Sequence, residues 1–159
     1  MNCIGIRVKP SEIYFSVINI DDNDNVEIET IDKIKVPVSL DVPDQLSYIR
    51  TTLFSIVNEY NITNAGIRRM EDNSPSKKLE PIIRRAYFEG VIQELISNCI
   101  IENYFSGKIS KLGSLLGYKS NEIKECIDGT TNLFRVDEWD TYNLEERESI
   151  LCAFASSQI

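Results

Sequence analysis

The sequence predicts one α/β domain over residues 1–159, with a mixed five-stranded sheet in which three antiparallel strands precede alternating helices and parallel strands. Three observations carry this expectation. Apolar and polar residues alternate through most of the first 36 positions, the period of a half-buried strand. Two later stretches place apolar residues at helical spacing, each followed by a short strand signal. At 159 residues, 42% hydrophobic and 26% charged, the chain can close one globular core without staples.

The first strand covers residues 3–9, setting Ile4, Ile6 and Val8 against Cys3, Gly5, Arg7 and Lys9. Residues 12–20 and 26–36 continue the signal across the turn-rich Asp21-Asp22-Asn23-Asp24-Asn25, giving an antiparallel meander. Residues 44–60 form a helix with Leu46, Ile49, Leu53, Ile56 and Val57 on one face. A turn at 61–64 leads into a short strand at 65–70. Pro75 and Pro81 hold the next helix to a start near Glu80, after which Ile82, Ile83, Ala86, Tyr87, Val91, Leu95 and Ile96 supply its stripe. Residues 99–103 read as the fifth strand, and 109–116 and 122–127 as short helices, with Gly113 and Gly117 framing a helix end. The loop 130–141 carries the only tryptophan, Trp139, expected either to lid the core or to anchor a partner. In the final helix, 143–156, Asn143 and Glu146 have capping-box spacing.

Within that last helix, helical steps from Leu144 reach Glu148, Leu151 and Ala155, so a carboxylate falls in the apolar stripe. It needs a partner, a metal or a water-filled cleft, because an unpaired buried charge is expensive or becomes protonated. The chain has no histidine, which excludes Ser-His-Asp and Cys-His catalysis and His-containing zinc sites. It has no Gly-x-Gly-x-x-Gly, and Gly107-Lys108 lacks the earlier glycine of a phosphate-binding loop. Cys3, Cys99, Cys126 and Cys152 are scattered, fitting reduced core thiols in a cytoplasmic protein. The run Asp21 to Asp24 lacks the spacing of a calcium loop. No basic leader precedes an apolar run, and no stretch approaches the ~18 apolar residues of a membrane span.

The formal net charge of −8 argues against general binding to nucleic acid or membrane surfaces. Locally the sign reverses. Arg68, Arg69, Lys77, Lys78, Arg84 and Arg85 outnumber Glu71, Asp72 and Glu80, which marks either a solvated face or an anion site.

Several of these segments resemble one family. Ile4-Gly5-Ile6-Arg7 is similar to the opening Ile-Gly-Ile-Asp strand of RuvC-type Holliday-junction resolvases. Arg84-Arg85-Ala86 through Gly90-Val91-Ile92 resembles their long glycine-containing helix. Ile100-Ile101-Glu102 with Lys108 and Lys111 resembles a further segment, and Glu148-Ser149-Ile150-Leu151-Cys152-Ala153 resembles their Asp-Ala-hydrophobic helix. The resemblance spans most of the chain and implies an RNase H-like architecture. It also implies a two-metal site for phosphodiester cleavage, with carboxylates from the first strand, the fourth strand and the last helix. Against that pattern, the first-strand position holds Arg7 and the fourth-strand position Arg69, leaving Glu148 as the one acid. One carboxylate beside two arginines has the wrong sign for a divalent cation. Parallel neighbouring strands would bring Arg7 and Arg69 together, with Glu148 or a bound anion between them. A register shift of one residue would put Arg68 there instead.

These readings describe a RuvC-like chain without metal-dependent cleavage, acting as a binding or scaffolding subunit of a bacterial nucleic-acid-processing or defence complex. The expected partner is a protein, with no cofactor and no membrane. A homodimer is compatible with the sequence, and Lys108, Lys111, Arg84 and Arg85 form the surface on which nucleic acid would lie. Two alternatives stand beside it. One is an active magnesium- or manganese-dependent endonuclease using Glu71, Glu102 and Glu148. The other is a small acidic inhibitor that covers the basic site of a toxin or nuclease.

Overall fold

The computed structural model describes every residue except Asp24, 72–77 and Ile100, and its five strands form one sheet in the order β3-β2-β1-β4-β5. β1 (Asn2–Val8), β2 (Glu12–Ile20) and β3 (Val26–Lys35) are antiparallel, while β4 (Asn64–Arg68) runs parallel to β1 and β5 (Asn103–Gly107) parallel to β4. Asp24, Asp72, Pro75, Lys77 and Ile100, which entered the readings of the turn, the basic run, the helix start and the fifth strand, lie outside the described residues.

Helices cover both faces, as the two apolar stripes require. α1 (Val42–Glu59) and α2 (Leu79–Asn98) pack Ile49, Leu53, Val57, Phe88 and Ile92 onto Ile4, Ile6, Ala65 and Ile67. On the other face α3 (Ile109–Leu116), α4 (Ser120–Ile127) and α5 (Leu144–Ser156) build a second core from Phe105, Leu112, Ile123, Cys126, Trp139 and Leu151. Strand alternation decides which residues meet α5. In β1 these are Cys3, Gly5 and Arg7, and the parallel register sets them beside Asn64, Gly66 and Arg68 of β4.

The glycine pair explains why α5 lies so low on the sheet. A Cβ on Gly5 would overlap the Ser149 carbonyl oxygen and the Ala153 nitrogen, and one on Gly66 would come 2.5 Å from the Cys152 oxygen. Helix backbone therefore rests on strand backbone, and the residues between are small. Ser16 and Ser149 share a buried hydroxyl contact at 2.5 Å, and Asn64 Nδ2 donates to the Ser156 oxygen at 2.9 Å. The Asn143 side chain accepts from the Glu146 N–H at 2.9 Å while Glu146 returns to the Asn143 N–H at 2.8 Å, so the capping box starts α5.

Some boundaries move from the sequence expectation. β5 begins at Asn103 rather than at position 99, because α2 runs on to Asn98 and Ile101 packs beneath the first core. Glu102 thus precedes the strand. β4 ends at Arg68, since the Met70 N–H turns to the Glu89 carboxylate at 3.0 Å instead of extending the ladder. α4 starts at Ser120, where the Glu122 carboxylate caps the Lys119 N–H at 2.7 Å. Trp139 is a lid over the second core: it is 4% exposed and its Nε1 donates to the Cys126 oxygen at 3.0 Å. Arg147 holds that loop by donating to the carbonyls of Ile127, Trp139 and Asp140. Among the described residues no helix is long and apolar enough to cross a membrane.

Candidate functional site

Because Ser149 and Ala153 are fixed over Gly5, the residue before Ser149 hangs over the last residues of β1 and β4. That residue is Glu148, 3% exposed. Its Oε2 meets Arg7 Nε, and its Oε1 lies 3.1 Å from Arg68 Nε. Arg68 continues outward: Nη1 donates to the Arg69 oxygen, and Nη2 lies 2.8 Å from Glu71 Oε1. The same Glu71 oxygen accepts the Ile109 N–H at 3.0 Å, in the first turn of α3. From α2, Arg85 Nε pairs with Glu89 Oε1 at 3.1 Å. On the rim, Lys9 Nζ reaches Glu145 Oε1 at 2.5 Å.

Burial pushes the Glu148 carboxyl up to about 7, against the pull of Arg68 and Arg85. The direct contact with Arg7 acts in the same lowering direction as Arg68. Three arginines, Arg7, Arg68 and Arg85, share this region with two buried carboxylates, Glu89 and Glu148. Arg7 Nη1 and Arg85 Nη2 are buried with no hydrogen-bond partner among the described residues, and the ion pairs on Glu148 are close without being well directed. The interior of the cluster is cation-rich. Cys152, one turn beyond Glu148, is fully buried, and burial drives its thiol far upward, so it is no nucleophile.

The two-metal centre implied by the resemblance does not fit these residues. Hard divalent cations require several oxygen ligands, and here Glu148 is flanked by the guanidiniums of Arg7 and Arg68 while Glu71 and Glu89 are each engaged by an arginine. Among the described residues no group of three or more His, Cys, Asp or Glu could hold a metal ion.

Several expected site residues take other positions. Arg69 is exposed and outside the cluster, since strand alternation turns it away and gives its place to Arg68. The signal was present in the sequence, because Gly5-Ile6-Arg7 and Gly66-Ile67-Arg68 repeat the same three residues and pair in register. Glu71 joins the cluster, but as the partner of Arg68. Glu102 lies at the opposite end of the sheet, its N–H on the Thr63 oxygen at 2.8 Å, roughly 15 Å of strand away from Glu148. Glu71, Glu102 and Glu148 therefore do not converge. Arg85 is no surface contact for nucleic acid, being 8% exposed and turned toward Glu89. Arg84 is half-buried, 3.7 Å from Glu80, Lys108 stands at the N-cap of α3, and Lys111 is exposed on that helix. Glu89 was missed altogether; its spacing of four from Arg85 on one helix was the available clue.

No family model and no curated protein matches the chain. Solved structures do. RuvC from Thermus thermophilus superposes with a TM-score of 0.73 at 7% identity, over 99% of this chain and 94% of that one. RuvC of the same organism in complex with a Holliday junction substrate gives 0.72 at 8% identity and the same coverage. The yeast mitochondrial Holliday junction resolvase gives 0.59 at 16% identity, over 98% of this chain and 78% of its own. The fowlpox virus Holliday junction resolvase gives 0.51 at 13% identity, over 99% and 94%. At these identities the likeness is one of fold, and the chain has the RuvC-like form of the RNase H-like architecture.

Proposed function

We propose that this chain is a non-cleaving RuvC-like protein that serves as a binding or scaffolding subunit in a nucleic-acid-processing or defence assembly of the cytoplasm. The observation that carries this reading is the Glu148 carboxylate held between Arg7 and Arg68. Two-metal cleavage needs carboxylates to hold cations that activate a water and stabilise the leaving oxygen. Guanidiniums supply positive charge at the ends of β1 and β4, but they stay protonated and have no acceptor, so they neither take a proton from water nor bind a metal. The overall charge of −8 favours a protein as the main partner. Arg84, Lys108 and Lys111 are the residues of the basic set left near the surface for a nucleic-acid strand, the ligand class of the resolvases that share this fold.

Calorimetric titration of manganese into the wild type and Glu148→Gln, beside a four-way-junction cleavage assay with magnesium or manganese, tests the reading. The expected result is no stoichiometric binding in either protein and no cleavage. Stoichiometric heat that Glu148→Gln abolishes, together with metal-dependent cleavage, would overturn it.

A further inference from the structure

β3 is the outermost strand of the sheet, bonded only to β2, and its register carries one irregularity. Val17 faces Thr30 and Ile18 faces Ile28, so Glu29 is an extra residue and forms a bulge. Regular alternation from Ile31 would turn Glu29 and Glu27 toward α5. The bulge turns Ile28 there instead, and Ile28 and Ile31 both pack on the second core. Beyond Ile28 the apolar face continues without a cover. Val26 is 43% exposed and lines, with Ile20 and Ile28, an open cavity of about 840 Å³ that Phe134, Val136 and Phe154 also line. The loop side of this cavity is firmly held. The Phe134 and Phe154 rings stack with centroids 4.7 Å apart, and Asn132 accepts the Val136 N–H at 3.0 Å while donating to the Val136 oxygen at 2.7 Å. In the same loop Arg135 and Glu138 have φ of 53° and 55°, a left-handed conformation that costs energy for residues with a Cβ.

We infer that the start of β3 takes up an extended segment of a partner protein, one bulky apolar side chain of that segment entering the cavity and flanking lysines or arginines meeting Glu27 and Asp137. The open side of β3 presents backbone N–H and C=O groups that a further strand can bond, and a cavity beside such an edge receives alternate side chains of the added strand. The bulge at Glu29 confines this pairing to the residues before it. Lys33 and Lys35 guard the far half of the strand, whereas the near half carries only the acids Glu27 and Glu29. Charge selects the occupant. The exposed Glu27 and Asp137 line the cavity, where Arg135 is the one cation among the lining residues. Tyr142 lines it too, and its phenol is pushed up by burial and then by Glu138, Glu146 and Asp137. An acidic field of this kind repels the same edge of a second copy and attracts a basic segment. The inference rests on the scaffolding reading and names the surface that would hold the protein partner. That surface lies where β1 begins, at the other end of the strand from Arg7.

Amide NMR spectra of the isotopically labelled full chain, titrated with the peptide Thr-Lys-Val-Lys-Phe-Lys-Val-Lys-Thr, test the inference. Two altered peptides serve as controls, one with serine for the phenylalanine and one with glutamates for the lysines. The expected result is saturable binding with a dissociation constant below about 1 mM, and roughly tenfold weaker binding of both controls. The shifts should centre on the amides of residues 26–28 and 134–137. Val26→Asp and Glu27→Lys, at exposed positions and checked for folding by circular dichroism, should each weaken binding of the first peptide about tenfold. Absence of saturation, indifference to the phenylalanine, or shifts centred elsewhere overturns the inference. Shifts at 26–28 that depend on protein concentration without peptide would assign the edge to a second copy and overturn it as well. Failure of the scaffolding reading itself would show as metal-dependent cleavage, which this titration does not measure.

Discussion

At the scale of single residues, Glu148 holds two arginine side chains that would otherwise face each other in the interior. Glu148→Ala leaves Arg7 and Arg68 without their shared carboxylate and is expected to cost about 3–5 kcal/mol in urea denaturation at neutral pH. The pH dependence has a definite sign. The folded chain keeps the Glu148 proton up to about pH 7, while the unfolded chain releases it near 4.5, so protonation favours the folded state. This stabilisation is complete below pH 4.5 and is lost as pH rises through 7. Glu12, held below its usual range by Lys33 and then Tyr14, titrates with the opposite sign, but it cancels when wild type and Glu148→Gln are compared. The difference in stability between those two proteins should shift against the wild type by on the order of 3 kcal/mol across the interval, and a flat difference would contradict the burial of the acid. Glu148 was legible in the sequence because helical spacing alone places it among Leu144, Leu151 and Ala155. Its partner in β4 is legible only through the repeated Gly-Ile-Arg triplet, because adjacent arginines at 68 and 69 otherwise differ only in strand parity, which depends on where the strand begins.

Among the elements, α5 and β1 are joined through backbone rather than through large side chains. Gly5→Ala is expected to destabilise by about 3 kcal/mol in urea denaturation, since its methyl meets carbonyl and amide groups that cannot move without lifting the helix. A smaller effect would mean that α5 is free to shift. Most elements could be read from period and capping, as the Asn143 and Glu146 box shows. The fifth strand could not. Residues 99–103 form a short apolar run that suits a strand, and the choice was made by α2, whose Leu95 and Ile96 carry the helix down into the first core so that pairing starts only at Asn103.

For the whole molecule, packed layers on both faces share one sheet, and β1 sends Ile4, Ile6 and Val8 to one face and Cys3 to the other. Unfolding of either core therefore exposes the other. Trp139 is buried in the second core and is the only tryptophan, so its fluorescence reports on that side alone, while far-ultraviolet circular dichroism reports on both. The two signals should give coincident urea transitions, and a Trp139 transition at lower urea would show that the second face melts by itself. The order of strands and helices was legible at this scale because each apolar stripe demanded a covered face. The division of charge was not, since the basic run spends Arg68 and Arg85 on internal partners.

The matched Gly-Ile-Arg segments of β1 and β4 have a consequence for redesign. Register is set by Gly5 and Gly66 beneath α5, so positions 7 and 68 stand side by side under residue 148 whatever side chains they bear. The scaffold is a socket whose polarity is written in two residues. Arg7→Asp with Arg68→Asp would turn a hole lined with cations into one with three converging carboxylates. Such a double variant is expected to take up manganese in a calorimetric titration where the parent does not.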